Sequence, residues 1–162
     1  MKFKNPHSVL VVIYAQSTNR VLMLQRLDDL DFWQSVTGSL EIGETPLAAA
    51  KRELAEEVGL KTPGNFAAPI VVYSSDLGEI QGELFDCQTQ VEFEIFPHFR
   101  YKYAPEITHC REHWFLLAMR DEFTPRLSEH RAFQWLDATA ASALTKSPNN
   151  AAAIRQYLIE ER

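Results

Sequence analysis

Glu53, Glu56 and Glu57 stand at i, i+3 and i+4, a spacing that brings three carboxylates together if the segment is helical. They would then project from one face within about 100° of arc. Like charges so placed destabilise a helix by roughly 0.2–0.5 kcal/mol per pair. A bare acidic face of this kind is ordinarily a solvated surface. Three neighbours argue for more. Arg52 sets a cation beside the cluster, Glu44 precedes it at the helix's positive end, and Gly38 and Gly43 let a loop backbone approach that face. Converging carboxylates suit a hard cation, Mg²⁺ or Mn²⁺ rather than zinc, with water and substrate phosphate completing the shell. The chemistry implied is metal-assisted attack of water on a phosphoanhydride.

The surrounding elements must hold these groups in place. Thr45 offers an N-cap, Pro46 suits the first helical position, and Gly59 sits where a glycine closes a helix. Between them Leu47, Ala50, Leu54 and Val58 form an apolar stripe of helical period. Upstream, apolar runs at residues 9–15 and 21–24 flank a polar turn at 16–19, which predicts a β-hairpin. Residues 28–31 form a charged loop, and 33–36 a short strand. Residues 61–83, punctuated by Pro63, Gly64, Pro69, Gly78 and Gly82, read as a loop-rich connection with one strand near 70–73. Val91, Phe93 and Ile95 alternate with Glu92 and Glu94, so 90–96 reads as a half-buried strand. Further strands fall at 114–119 and 133–136, and helices at 138–144 and 150–160. The expectation is one α/β (α+β) domain over residues 1–162, layered as an α/β/α sandwich.

The segment at 38–60, GSLEIGETPLAAAKRELAEEVGL, resembles the Nudix box, Gly-x5-Glu-x7-Arg-Glu-U-x-Glu-Glu-x-Gly-U, with U aliphatic. Gly38, Glu44, Arg52, Glu53, Leu54, Glu56, Glu57, Gly59 and Leu60 match without departure. The resemblance implies a mixed sheet between helical layers and hydrolysis of a nucleoside diphosphate linked to some moiety X. Carried over by motif position, it makes Glu53 and Glu57 the principal metal ligands and Glu56 a further candidate. Arg52 then pairs with Glu44 or Glu53 to fix the cluster.

Flanking residues bear on substrate. Residues 8–15 (SVLVVIYA), 21–26 (VLMLQR), 31–39 (DFWQSVTGS), 91–96 (VEFEIF), 135–137 (WLD) and 143–147 (ALTKS) resemble one branch of the family. That branch is the bacterial dihydroneopterin triphosphate pyrophosphohydrolases of folate synthesis. Thr37-Gly38-Ser39 stands where many members carry Pro-Gly-Gly, which suits this branch, while residues 61–86 are longer than the branch leads one to expect. The resemblance implies Mg²⁺-dependent conversion of 7,8-dihydroneopterin triphosphate to the monophosphate and pyrophosphate, with Mn²⁺ able to substitute. Two other readings stay open: a broad (d)NTP pyrophosphatase such as one preferring dATP, and a Nudix domain that senses a ligand without turnover. Lys4 and Arg26 can hold polyphosphate, and Thr37 and Ser147 offer hydroxyls. Phe93 and Phe96 can flank a flat ring. Gly38, Glu94 and Ile95 complete the implied substrate contacts. Plainer roles exist: Arg26 can pair with Asp28 or Asp29, Lys4 can be solvated, and Phe93 can be core. Glu129 lies in a polar segment before a strand, where the family places a distal glutamate that reaches the metal. His130 beside it is a possible proton carrier with no assigned role.

Composition limits the alternatives. The 162 residues are 46% hydrophobic, and 16 basic against 22 acidic residues give a formal net charge of −6. That balance argues against a nucleic-acid or anionic-membrane partner and for a small triphosphate. Cys87 and Cys110 are too few for a disulfide scaffold. No apolar run reaches about 18 residues and no signal-peptide pattern follows the first charges, so a cytoplasmic location is expected. His109, Cys110 and His113, with Cys87, fit no closed zinc pattern.

Overall fold

The computed structural model describes residues 2–62, 70–72 and 80–160. Its first hairpin joins β1 (His7–Ala15) to β2 (Arg20–Arg26), antiparallel with Tyr14 opposite Val21. Asn19 closes the turn at φ 59°, a left-handed conformation that asparagine tolerates. Two very short strands follow, β3 (Trp33–Gln34) and β4 (Val36–Ser39), where the sequence suggests one. Helix α1 (Pro46–Val58) is bounded as the capping residues predict. Thr45 Oγ1 accepts from the Ala48 N–H at 3.1 Å, and Gly59 closes the helix at φ 78°.

Strands β5 (Ile70–Val72), β6 (Gly82–Glu94), β7 (His109–Met119) and β8 (His130–Asp137) complete the sheet. The helices α2 (Ala138–Leu144) and α3 (Pro148–Arg155) follow, and a π-helical turn over Gln156–Glu160 ends the described chain. The expected strand near 70–73 is present at 70–72, and the rest of that expectation, at 63–69 and 73–79, lies outside the described residues. Residues 82 and 83 are strand rather than loop.

The sheet has the order β3-β2-β1-β7-β6-β5, with β4 also paired to β1 and β8 to β2. It is mixed: β1 and β7 run parallel from His7 opposite Arg111 to Ala15 opposite Met119, and the other pairings are antiparallel. Strand β1 divides one edge between two partners. Ser8 to Val11 pair with β4, whereas β2 joins only near Tyr14. The sheet is thereby opened between β4 and β2.

Both faces of β1 are covered, which explains its continuous apolar run. Val9, Val11 and Ile13 pack with Leu54 and Val58 of α1 on one side. Leu10 and Val12 pack with Ala141, Ala153 and Ile154 of α2 and α3 on the other. This is the expected α/β/α sandwich.

Candidate active site

Glu53 and Glu57 lie on the buried side of α1, and Glu129 reaches them from the loop before β8. One oxygen from each carboxylate lies within 4.8 Å of the other two. The loop is tied to the helix end: Ser128 Oγ donates to the Glu56 carbonyl, and the Arg126 N–H donates to the Val58 carbonyl at 3.2 Å. Gly38 closes the other side. A Cβ there would overlap the Glu53 carboxylate, so only glycine lets β4 pass so close.

Glu57 is 1% exposed and neither of its oxygens has a hydrogen-bond partner. Burial, reinforced by Glu53 and Glu129, raises its pKa well above the ordinary carboxylate value. A buried carboxylate with both oxygens unpartnered beside two more carboxylates fits a divalent cation. Among the described residues this trio is the group suited to hold one.

Arg52 fixes the cluster from its outer side. Its Nε and Nη2 donate to the two oxygens of Glu44 at 2.8 and 2.9 Å, Nη2 also donates to the Ser39 carbonyl at 2.9 Å, and Nη1 donates to Glu53. Arg52 thus pairs with Glu44 and Glu53 together, where the sequence left the choice open. This bidentate contact holds Glu44 below its ordinary pKa. Glu56 is not part of the convergent trio. Its side chain is 45% exposed and turns to Arg52 Nη1 at 3.3 Å.

A cavity of about 360 Å³ opens beside the trio, with Glu57 and Glu129 in its wall. Lys4, Arg26, Thr37, Gly38, Phe93, Ile95, Phe96 and Ser147 line it. Glu94 does not: it is exposed, because strand alternation carries it to the face opposite Phe93. Two of the expected hydroxyls are already engaged. Thr37 Oγ1 donates to the Val9 carbonyl at 2.8 Å, and Ser147 Oγ caps α3 by accepting from the Asn150 N–H.

Arg26 takes its plainer role at the same time as it lines the cavity. Its Nε and Nη2 clamp Asp28 at 2.6 and 2.7 Å, and its guanidinium lies 4.3 Å from the centre of the Phe99 ring. A bulge between β2 and β8 at Arg26 turns it and His130 toward the site. Lys4 makes no ion pair among the described residues. Desolvation by the surrounding protein, then Lys102 and Arg26, lowers its pKa. His130 is buried, 3.7 Å from Glu57, and burial lowers its pKa to about 4, so it is neutral at pH 7.

Several lining residues carry no local sequence signal. Phe32 and Phe99 join Phe96 in an aromatic cluster, with Phe32–Phe96 edge-to-face at 5.6 Å. Lys102, in a 3₁₀ turn at Pro97–Lys102, adds a third cation and donates to Asp28 at 2.6 Å. Tyr103 and Glu112 also line the wall. The zinc alternative fails by alternation: on β7 Cys110 is buried while His109 is exposed.

Comparison with known proteins agrees with this geometry. The NUDIX domain family model matches residues 4–157. A dihydroneopterin triphosphate diphosphatase of Haemophilus influenzae is 57% identical over 162 residues, covering 100% of this chain and 93% of that one. The protein of the same description from Escherichia coli K12 is 53% identical, over 97% of this chain and 95% of its own. The solved structure of the E. coli dihydroneopterin triphosphate pyrophosphohydrolase superposes with a TM-score of 0.83 at 51% identity, covering 98% of this chain and 99% of that one. With the box intact, its glutamates gathered and the match running from end to end, the chain belongs to the Nudix family.

Proposed function

We propose that the protein is a Mg²⁺-dependent dihydroneopterin triphosphate diphosphatase, yielding the monophosphate and pyrophosphate for folate synthesis. The observation that carries this reading is the carboxylate trio beside a cavity whose wall takes in Glu57 and Glu129 together with three cations and an aromatic cluster. The name borne by relatives at 53% and 57% identity supports the pterin over other rings. We read the whole chain as one catalytic domain acting on a small triphosphate, with neither nucleic acid nor membrane as partner. No helix among the described residues is long and apolar enough to cross a membrane, and two cysteines outside any disulfide among the described residues suit a reducing cytoplasm.

In this reading Glu53, Glu57 and Glu129 hold Mg²⁺, with Mn²⁺ able to replace it, and Glu56 stands by as an outer carboxylate. Bound there, the ion would neutralise phosphate oxygens and acidify a water. Arg52 and Glu44 hold Glu53 in its ligating position. Lys4, with no ion pair among the described residues, takes a phosphate oxygen directly. Arg26 and Lys102 contribute as their shared partner Asp28 gives way to the stronger anion. Phe93, Ile95 and Phe96 receive the ring, while Thr37 and Ser147 shape the wall through backbone and cap contacts.

Pyrophosphate leaves as one unit whenever the α–β bridge is cleaved, by attack of water on either the α- or the β-phosphorus. Turnover in ¹⁸O-labelled water tells the two apart: label enters the monophosphate if the α-phosphorus is attacked and the pyrophosphate if the β-phosphorus is. Release of orthophosphate would overturn the mechanism. Equal kcat/KM across pterin and purine triphosphates would instead select the broad pyrophosphatase reading.

A further inference from the structure

We propose that Glu112 reads the substrate ring, its carboxylate accepting the paired N–H donors of a 2-amino-4-oxopyrimidine edge at the inner wall of the cavity. The proposal rests on the reading of a ring-bearing triphosphate given above. Glu112 is 5% exposed and lines the cavity, on the strand β7 that the mechanism otherwise leaves unused. Trp114 Nε1 donates to its Oε1 at 3.0 Å. Among the described residues no Lys, Arg or His forms an ion pair with it, although burying a carboxylate without a cation is costly.

A second polar group on the same wall has no hydrogen-bond partner among the described residues. Ser8, opposite Glu112 in the β1–β7 register, lines the cavity with its Oγ buried and unbonded. Leu10, Phe93 and Phe96 supply the apolar surround for a flat ring. By contrast, the nearby Asn150 amide is satisfied on both sides by Ser35, so on this stretch of wall, away from the carboxylate trio, Ser8 Oγ is left without a bond beside a Glu112 that has no cation.

The chemistry of the missing partner follows. An ionised carboxylate only accepts, and its two oxygens match two adjacent N–H donors. The ring N–H and exocyclic amine of pterins and guanines present that pair. Adenine presents an acceptor beside its amine and cannot satisfy both oxygens. Burial raises the Glu112 pKa to about 7, partly offset by Trp114 and the Asn149 amide, so a bound donor pair would also draw the group into its ionised form near neutrality.

Glu112→Gln tests this, because glutamine presents one acceptor and one donor, the complement of adenine's edge rather than guanine's. The ratio of kcat/KM for dGTP over dATP should fall at least about 10-fold in the variant. In the unaltered protein dGTP should exceed dITP, which lacks only the 2-amino group, by about 10-fold or more. An unchanged ratio in the variant, or equal rates on dGTP and dITP, would overturn the assignment. Should the variant fail to fold, the dGTP–dITP comparison decides alone. Should no triphosphate be hydrolysed, the activity reading falls, and fluorescence titration with neopterin and its 2-oxo analogue decides the ring contact by itself. Binding of neopterin at least about 10-fold tighter would support it, and equal binding would overturn it.

Discussion

Glu57 is buried beside two other carboxylates, and among the described residues neither of its oxygens is within hydrogen-bond geometry of a donor. Its charge opposes folding until a cation arrives. Glu57→Gln keeps the shape and removes the charge, so kcat should fall at least about 100-fold while the metal-free Tm stays level or rises. Near-native turnover in that variant would remove the trio from the reaction. The box residues were legible because one helix carries most of them, so their spacing alone puts them on a face. Glu129 was legible only through the family resemblance. Phe32, Phe99, Lys102 and Glu112 were not, since they come from separate segments that meet only after folding. Glu94, a neighbour of Phe93 and Ile95 in sequence, lies exposed on the other face of its strand and outside the cavity lining.

At the scale of elements, the end of α1 and the loop bearing Glu129 form one unit. Gly59 takes φ 78°, and a Cβ there would come within 3.2 Å of the Arg126 Cβ. Gly59→Ala should cost about 1–2 kcal/mol in chemical denaturation. Ser128 anchors the loop through the Glu56 carbonyl. Ser128→Ala should therefore weaken the apparent Mg²⁺ affinity roughly 10-fold while kcat at saturating Mg²⁺ changes little. An unaltered Mg²⁺ titration would mean the loop is positioned without it. The helices and the first hairpin were readable because caps, turns and apolar periods agree there. Strand β7 begins at His109, five residues before the apolar run at 114–119 suggested. Its inward positions there are Cys110 and Glu112, and a buried acid breaks the pattern that marks a strand. Strand β6 was hidden at its start by Gly82 and by a register shift between Asp86 and Thr89.

For the whole molecule, the parallel pairing of β1 with β7 and the opening between β4 and β2 are not local properties, and no periodicity announces them. They set Glu112 deep in the cavity wall, and that placement shapes how stability varies with pH. Asp28, Glu44 and Glu122 are held below their ordinary pKa by Arg26, Arg52 and Arg20. Their contribution is complete above the ordinary carboxylate value and is lost as pH falls through it toward their lower folded values. Glu112 acts in the opposite direction, with burial raising its pKa to about 7. Below about pH 4.5 it is protonated in both states and costs nothing. From there to about pH 7 the unfolded chain releases a proton that the folded chain keeps, so stability falls, by roughly 3 kcal/mol at most. Glu57 is raised in the same direction. His130 opposes them: with its pKa lowered by burial to about 4, its contribution is complete above about pH 6.5 and is lost as pH falls toward about 4, which offsets the Glu112 change over that window. Mg²⁺ should lift Tm above about pH 6 by pairing with Glu57, and should leave the Glu112 cost in place. Glu112→Gln should remove that cost, so its Tm should match the unaltered protein at about pH 4.5 and exceed it increasingly toward about pH 7.5. A gap that stays constant over that range would mean that the fold accommodates the Glu112 anion without penalty, and the carboxylate would then need no ring donors to complete it.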